Sequence, residues 1–420
     1  MSTKPLLFWA VQSIQILCVA LTMQATMQVT TQATTQTTTQ TTTQTTRPSI
    51  QAQRSEPSST QKPRFTENDA REVEVTIQGS QQILTGRIVT QTPAGQILLE
   101  EPSGSYHQLV ASTVLKIKET GRPFVSYTAK QTGDHLKQLM GGGEITTTQH
   151  FVICSAASPR YTEFCGKLLE RVAEQFPTVL KKTGIEFPPL PSSLPVMIFA
   201  TSADLQAFAE KQHPEVDFSD TPGYYSVTHN QILFSADKDN LKARTNSDIA
   251  RSLKQAPRIV ETMVHETVHL LQYNSGLINR FAANPTWLSE GMAVYFEPAS
   301  LRSSLLWNRA GNTNRLHLEG LKAADAHSKF SLPLPELLAD NQAFEKPETV
   351  RFAYAESWAI TWTLMKRHPE AYGRLLNAQR KLKPLVPLTG EEQVQRLEQS
   401  LKMTTDGLES EIRKVFRRQL

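Results

Sequence analysis

Apolar positions along this chain change their spacing twice, and each spacing predicts a different kind of structure. From Val73 to Lys118 they alternate. Val73, Val75 and Ile77 share one side, a turn at Gly79-Ser80 follows, and Ile83 to Val89 resumes the alternation. Turns at Thr92-Pro93-Ala94-Gly95 and around Gly104 then separate Ile97-Leu98-Leu99, His107 to Val110 and the closing Val114-Leu115-Ile117. Short period-two runs with glycine turns predict a small antiparallel barrel or curled sheet over residues 71–120.

From about residue 145 the pattern mixes. His150 to Ala156 and Pro195 to Phe199 read as strands. Tyr224 to Val227 and Gln231 to Ser235 flank Thr228-His229-Asn230 as a hairpin or bent strand. Pro159 to Lys182 carries Phe164, Leu168, Val172 and Phe176 at helical spacing, and Ser202 is placed to cap a helix running to Lys211. Beyond residue 247 the chain reads almost wholly as helix, ending in an amphipathic stretch from Glu391 to Leu420. A small mixed sheet followed by a helical half predicts an α+β catalytic domain over residues 145–420. The β-rich segment before it resembles the SH3-like modules found beside catalytic domains of exported bacterial proteins, where a packing role is the simpler expectation.

The first 70 residues follow neither pattern. Lys4, the apolar run from Leu6 to Met23 and the small residues Ala20 and Ala25 read as a signal peptide over residues 1–25, cleaved or retained as an anchor. Cys18 follows bulky Ile16 and Leu17, which argues against lipidation. Gln24, Gln28, Gln32, Gln36, Gln40 and Gln44 recur every four residues with mostly Thr between them, and Pro48, Pro57 and Pro63 come next. With almost no large apolar side chain, residues 26–70 cannot offset chain entropy by burial and are expected to be a solvated linker. The expected location is periplasmic, extracellular or at the cell surface.

Composition narrows the partners. With 44 Lys plus Arg against 40 Asp plus Glu, the net charge of +4 is too small and too dispersed for a nucleic-acid footprint. No apolar stretch of membrane-spanning length follows the leader, so no integral membrane domain is expected beyond it. The 3 cysteines exclude a disulfide-dense scaffold. Cys154 and Cys165 are read equally well as a bridge or as two buried thiols.

The chemistry concentrates in His265-Glu266-Thr267-Val268-His269, inside a helical stretch from Arg258 to Tyr273 that ends at Asn274-Ser275-Gly276. Histidines four apart project from one helix face, so two imidazoles can hold one zinc ion while Glu266 takes a proton from water beside it. Gln272 and Ser275 stand where a metzincin needs Gly and His, which excludes that branch. A glutamate on a second helix remains the expected third ligand. Asn284-Pro285-Thr286-Trp287-Leu288-Ser289-Glu290-Gly291-Met292-Ala293 supplies Glu290, with Asn284 read as N-cap and Pro285 as the first helical residue. Glu297, seven residues on and on a similar face, is its rival.

This pair of motifs resembles the gluzincin metallopeptidases, which include thermolysin-like and aminopeptidase-N-like enzymes. Trp287 to Ala293 is especially similar to the third-ligand helix of the latter, and with its leader the chain looks like peptidase-MA-like exported bacterial proteins. The resemblance implies a zincin-like fold, Zn2+ bound by His265, His269 and Glu290, Glu266 as general base, and a peptide or protein substrate. It also implies an oxyanion-stabilising tyrosine downstream, for which Tyr354 is the candidate, with simple helix packing as its other reading. No Gly-x-Met-Glu-Asn-like exopeptidase signature precedes His265, so aminopeptidase activity does not carry over. Two further readings stand beside peptidase activity. One is a non-catalytic envelope or surface binding protein, against which an intact Glu266 argues. The other is zinc-dependent hydrolysis of a non-peptide amide.

Overall fold

The computed structural model describes residues 69–77, 80–214, 216–219, 221–236, 243, 245–327 and 332–416. The signal peptide expected over residues 1–25 and the linker up to residue 68 lie outside the described residues. The chain divides into two compact units. One holds the described residues up to Leu99 together with Gln108–Val125; the other holds Glu100–His107 and the residues from Ser126 onward.

The first sheet, most of it in the smaller unit, is built on β1 (Asp69–Ile77), β2 (Ser80–Gln91), β3 (Ile97–Glu100), β4 (Tyr106–Leu109) and β5 (Val114–Pro123). They form one sheet in the order β4-β3-β2-β1-β5, with β1 antiparallel to both β2 and β5. Val73, Val75, Leu84, Ile97, Leu99 and Leu109 make its core. The expected barrel is not closed: β4 and β5 end the strand order without pairing to each other. Alternation marks which residues face a core, and it looks the same in an open sheet and in a barrel.

The larger unit opens with a helix that the apolar pattern hides, α1 (Ala129–Met140), whose buried face is only Thr132, Gly133 and Leu136. Its signal was a capping box, with Thr128 and Gln131 exchanging side-chain and backbone hydrogen bonds. The sheet that follows has the order β6-β7-β8-β10-β9, from β6 (Glu144–Thr147), β7 (Phe151–Ser155), β8 (Leu194–Phe199), β9 (Gly223–Ser226) and β10 (Gln231–Ser235). β7 and β10 run parallel to β8, while β6 and β9 are antiparallel edges. The central strands are covered on both faces, which is why β8 is an unbroken apolar run. Helix α2 (Pro159–Leu180) links β7 to β8. Helix α3 (Ser202–Gln212) is capped by Thr201 with Asp204, one residue before the expected Ser202.

Helices complete the unit: α4 (Asn246–Gln255), α5 (Pro257–Asn274), α6 (Thr286–Phe296), α7 (Arg315–His327), α8 (Leu334–Ala339), α9 (Gln342–Glu345), α10 (Val350–Arg367), α11 (Pro369–Gln379), α12 (Gly390–Leu401) and α13 (Thr405–Phe416). The expected C-terminal helix is two, because Lys402 adopts a left-handed φ of 55° between α12 and α13. One mixed sheet with a separate helical half is an α+β fold. No helix among the described residues is long and apolar enough to cross a membrane. Cys154 and Cys165 are both buried free thiols. Burial pushes the Cys154 thiol up to about 11, so neither the bridge nor a reactive thiolate is present.

The helical half is organised around α6, all of whose residues are buried. It packs against α5 on one side and α10 on the other. The α10 contact is so close that a Cβ at Gly291 would overlap the Ser357 carbonyl and the Thr361 hydroxyl. Gly291→Ala is therefore expected to cost roughly 1–3 kcal/mol of stability. Urea melts check it, and an unchanged midpoint would contradict the close approach. On α10, burial raises Glu356 from the ordinary 4.5 to about 8, against the Leu332 N–H that it accepts at 3.3 Å. A raised carboxyl stabilises fully below the unfolded value and loses that contribution as pH climbs through the folded one. Glu356→Gln should thus melt above the wild type near pH 8 and level with it near pH 4, as read by thermal denaturation.

Candidate metal centre

Helix α5 starts with Pro257, whose missing N–H costs nothing in a first turn, and ends at Ser275 before Gly276 at φ 67°. Val260, Val264, Val268 and Leu271 are buried in the core. Within the same helix His265 and His269 meet with ring centroids 4.7 Å apart. Helix α6 is locked in register beside them, because Gln272 Nε2 donates to the Ser289 carbonyl at 2.9 Å, one residue before Glu290. The entry to α6 differs from expectation. Pro285 sits at the N-cap and the helix begins at Thr286. Asn284 caps nothing; its amide donates to Asn279 O at 2.8 Å and holds the preceding loop.

Three ligand atoms converge at this contact. His265 Nε2 lies 2.9 Å from His269 Nε2 and 3.2 Å from Glu290 Oε2, and His269 Nε2 lies 3.3 Å from Glu290 Oε1. The residues are 1%, 3% and 3% exposed. Among the described residues this is the group of side chains arranged to hold a metal ion. The donor set fits one. Two ring nitrogens facing each other cannot both point lone pairs inward unless a proton or a cation sits between them, and a divalent ion satisfies both together with the carboxylate. Electrostatics agree. Burial would raise Glu290, but the charges of His269 and His265 outweigh it and bring the carboxyl down to about 2. Burial likewise opposes a charged His265, yet its hydrogen bonds to Glu290 and Glu297 hold it well above the usual imidazole range.

Glu266 is 1% exposed and turns to the sheet, where its Oε2 accepts the Tyr225 N–H at 2.9 Å. Tyr225 lies on β9, the edge strand, so the carboxylate rests against that edge. Burial lifts Glu266 above the ordinary carboxylate range, against the pull of His265 and His269. The strand is held to α5 in two further ways. Tyr225 stacks on Tyr273 at 5.6 Å and 15°, and its hydroxyl donates to Asn230 Oδ1 at 2.9 Å. Asn230 and Asn274 then exchange amide hydrogen bonds of 2.9 and 2.8 Å.

Glu290 and Glu297, the two carboxylates expected to compete, face opposite nitrogens of one ring. Glu297, at the C-cap of α6, takes the other nitrogen of the same ring: its Oε1 is 2.6 Å from His265 Nδ1. A carboxylate there fixes the ring plane and the tautomer that leaves Nε2 free to ligate. Tyr354 comes from a third helix. It is fully buried on α10 and lies edge-on to Phe344 at 5.4 Å. Sequence reasoning missed the Tyr225 N–H, which no side-chain pattern announces. It also missed Asn314 and His317, which approach Glu297 from α7.

About one divalent ion per chain is the expected metal content of the purified protein, falling sharply in His269→Ala and Glu290→Ala and only partly in Glu297→Gln. Elemental analysis decides, and equal losses in Glu297→Gln and Glu290→Ala would reverse the two roles.

A family model described as "Protein of unknown function (DUF1570)" matches residues 259–386, a span that takes in all but the first two residues of α5, the whole of α6 and α10, and His265, Glu266, His269, Glu290 and Glu297. No curated protein matches the sequence at a significant level.

Proposed function

We propose that this chain is an exported zinc-dependent metallopeptidase of gluzincin type, with a zincin-like larger unit. The observation that carries the reading is the convergence of His265, His269 and Glu290 from two helices, with the Glu266 carboxylate within reach of their charge. Three protein ligands rather than four are the mark of a catalytic zinc site, which keeps a position for substrate or water. Zinc held there supplies Lewis acidity toward a carbonyl and toward water.

The chain's own residues divide the remaining work. Glu290 contributes negative charge, and Glu297 keeps His265 in the ligating tautomer. Glu266, raised by burial and held by the Tyr225 N–H, accepts the proton of the attacking water and passes it to the leaving amine. The Tyr225 N–H of β9 is spent on Glu266 and holds the carboxylate in place. Nearly complete burial keeps competing water out and strengthens every charge interaction in the site.

Glu266→Gln is the test. It should retain zinc at the wild-type level while losing hydrolysis of a peptide library by at least about a hundredfold, the scale of general-base catalysis. Turnover preserved in that variant would sink the mechanism. Zinc retained by a wild type that cleaves no peptide would instead favour the binding-protein reading.

A further inference from the structure

Glu297 has two oxygens, and His265 uses only one of them. Oε2 faces the beginning of α7, where the Asn314 amide donates to it at 3.0 Å and His317 Nε2 stands 3.7 Å away, an ion-pair contact rather than a hydrogen bond. Both groups come from a single turn. Asn314 caps α7: its carbonyl accepts the Leu318 N–H at 2.9 Å and its Oδ1 accepts the His317 N–H at 3.4 Å. One side chain therefore ends the helix with its oxygen and reaches Glu297 with its nitrogen. The positive end of the α7 dipole points the same way and favours a carboxylate there. His317 is further fixed by its ring, 6.3 Å from that of Trp358 on α10. Asn314, His317 and Glu297 are 6%, 1% and 8% exposed, so little solvent screens these contacts.

A carboxylate orients an imidazole only if it is itself prevented from turning. With Oε2 free, Glu297 could rotate about its last bond and release Nδ1. We propose that the N-terminus of α7, through Asn314 and His317, is the outer clamp of the metal centre. It holds Glu297, which holds His265, which ligates. Neither residue touches the metal; both are positioning residues. The proposal rests on the metal-centre reading above but not on peptide hydrolysis.

The test is zinc affinity of the full chain, measured by competition with a chromophoric chelator and independent of turnover. Glu297→Gln should weaken zinc by about 10–100-fold, the range for outer-shell partners, and Asn314→Ala and His317→Phe by about tenfold each. His317→Phe keeps a ring against Trp358 and removes the nitrogen, while His317→Gln, which restores an N–H donor, should recover most of the affinity. Combined with Glu297→Gln, neither α7 change should weaken zinc further, because the clamp acts only through that carboxylate. The visible spectrum of the cobalt-substituted protein should shift in Asn314→Ala and His317→Phe as the His265 ring reorients. Wild-type affinity in both α7 variants overturns the clamp, as do losses that multiply in the double variants, the signature of general packing. A wild type that binds no zinc overturns the metal centre and the clamp together. Zinc binding without peptide cleavage removes the peptidase reading alone and leaves the clamp standing.

Discussion

The contact between α5 and α6 is the constraint on which the rest of the larger unit depends. It places two imidazoles and three carboxylates, those of Glu266, Glu290 and Glu297, in an interior where each is less than a tenth exposed. Charges in such a place are unfavourable unless each finds an opposite partner. Here Glu290 and Glu297 are partnered by the two imidazoles, and Glu266 by the Tyr225 N–H. The apolar surroundings supply the compensation. Trp287, Leu288, Met292, Ala293, Val294 and Phe296 sink the rest of α6 into the same core as Val260, Val264 and Val268 of α5. Hydrophobic burial of this size is what allows a polar centre to be carried at all.

From that contact the other elements take their places as supports. The β9 edge is tied to α5 through Glu266 and through the Asn230–Asn274 amide pair, so the Glu266 carboxylate and the strand beside it cannot drift apart. Helix α10 presses on α6 where Gly291 leaves no side chain, next in sequence to Glu290. Loop 275–285 is closed by Asn284 and by Asn279, whose amide reaches the Leu382 carbonyl at 2.7 Å. Distant stretches of chain thus converge on fixing this polar centre.

What was legible in the sequence follows from the range of each interaction. The two histidines and Glu266 were readable because helix periodicity alone sets their relation. Strands β7, β8 and β10 were readable because burial on both faces leaves unbroken apolar runs. Helix α1 was not, since most of its surface is exposed and only its capping box marks it. Closure of the smaller sheet was not, since pairing of the end strands leaves no trace in alternation. Asn284 and Pro285 misled by one position because local capping preference yielded to the loop hydrogen bonds that Asn284 makes instead. His317 was invisible for a different reason: its link to Glu297 joins helices whose packing no local pattern encodes.

Glu290 and Glu297 show how one helix makes two uses of one repeat. Seven residues are close to two turns, so the pair lies on nearly the same face, roughly 10 Å apart along the axis at 1.5 Å per residue. That is too far for both carboxylates to reach one ion. It is about right for both to reach one imidazole from opposite sides, given the length of a glutamate side chain at each end. The distances bear this out, 3.2 Å to Nε2 from Glu290 and 2.6 Å to Nδ1 from Glu297. His265 is therefore gripped at both nitrogens by α6, whereas His269 meets that helix through Glu290. The asymmetry makes His265 the imidazole whose orientation the fold controls, and α7 adds to that control by converging on Glu297.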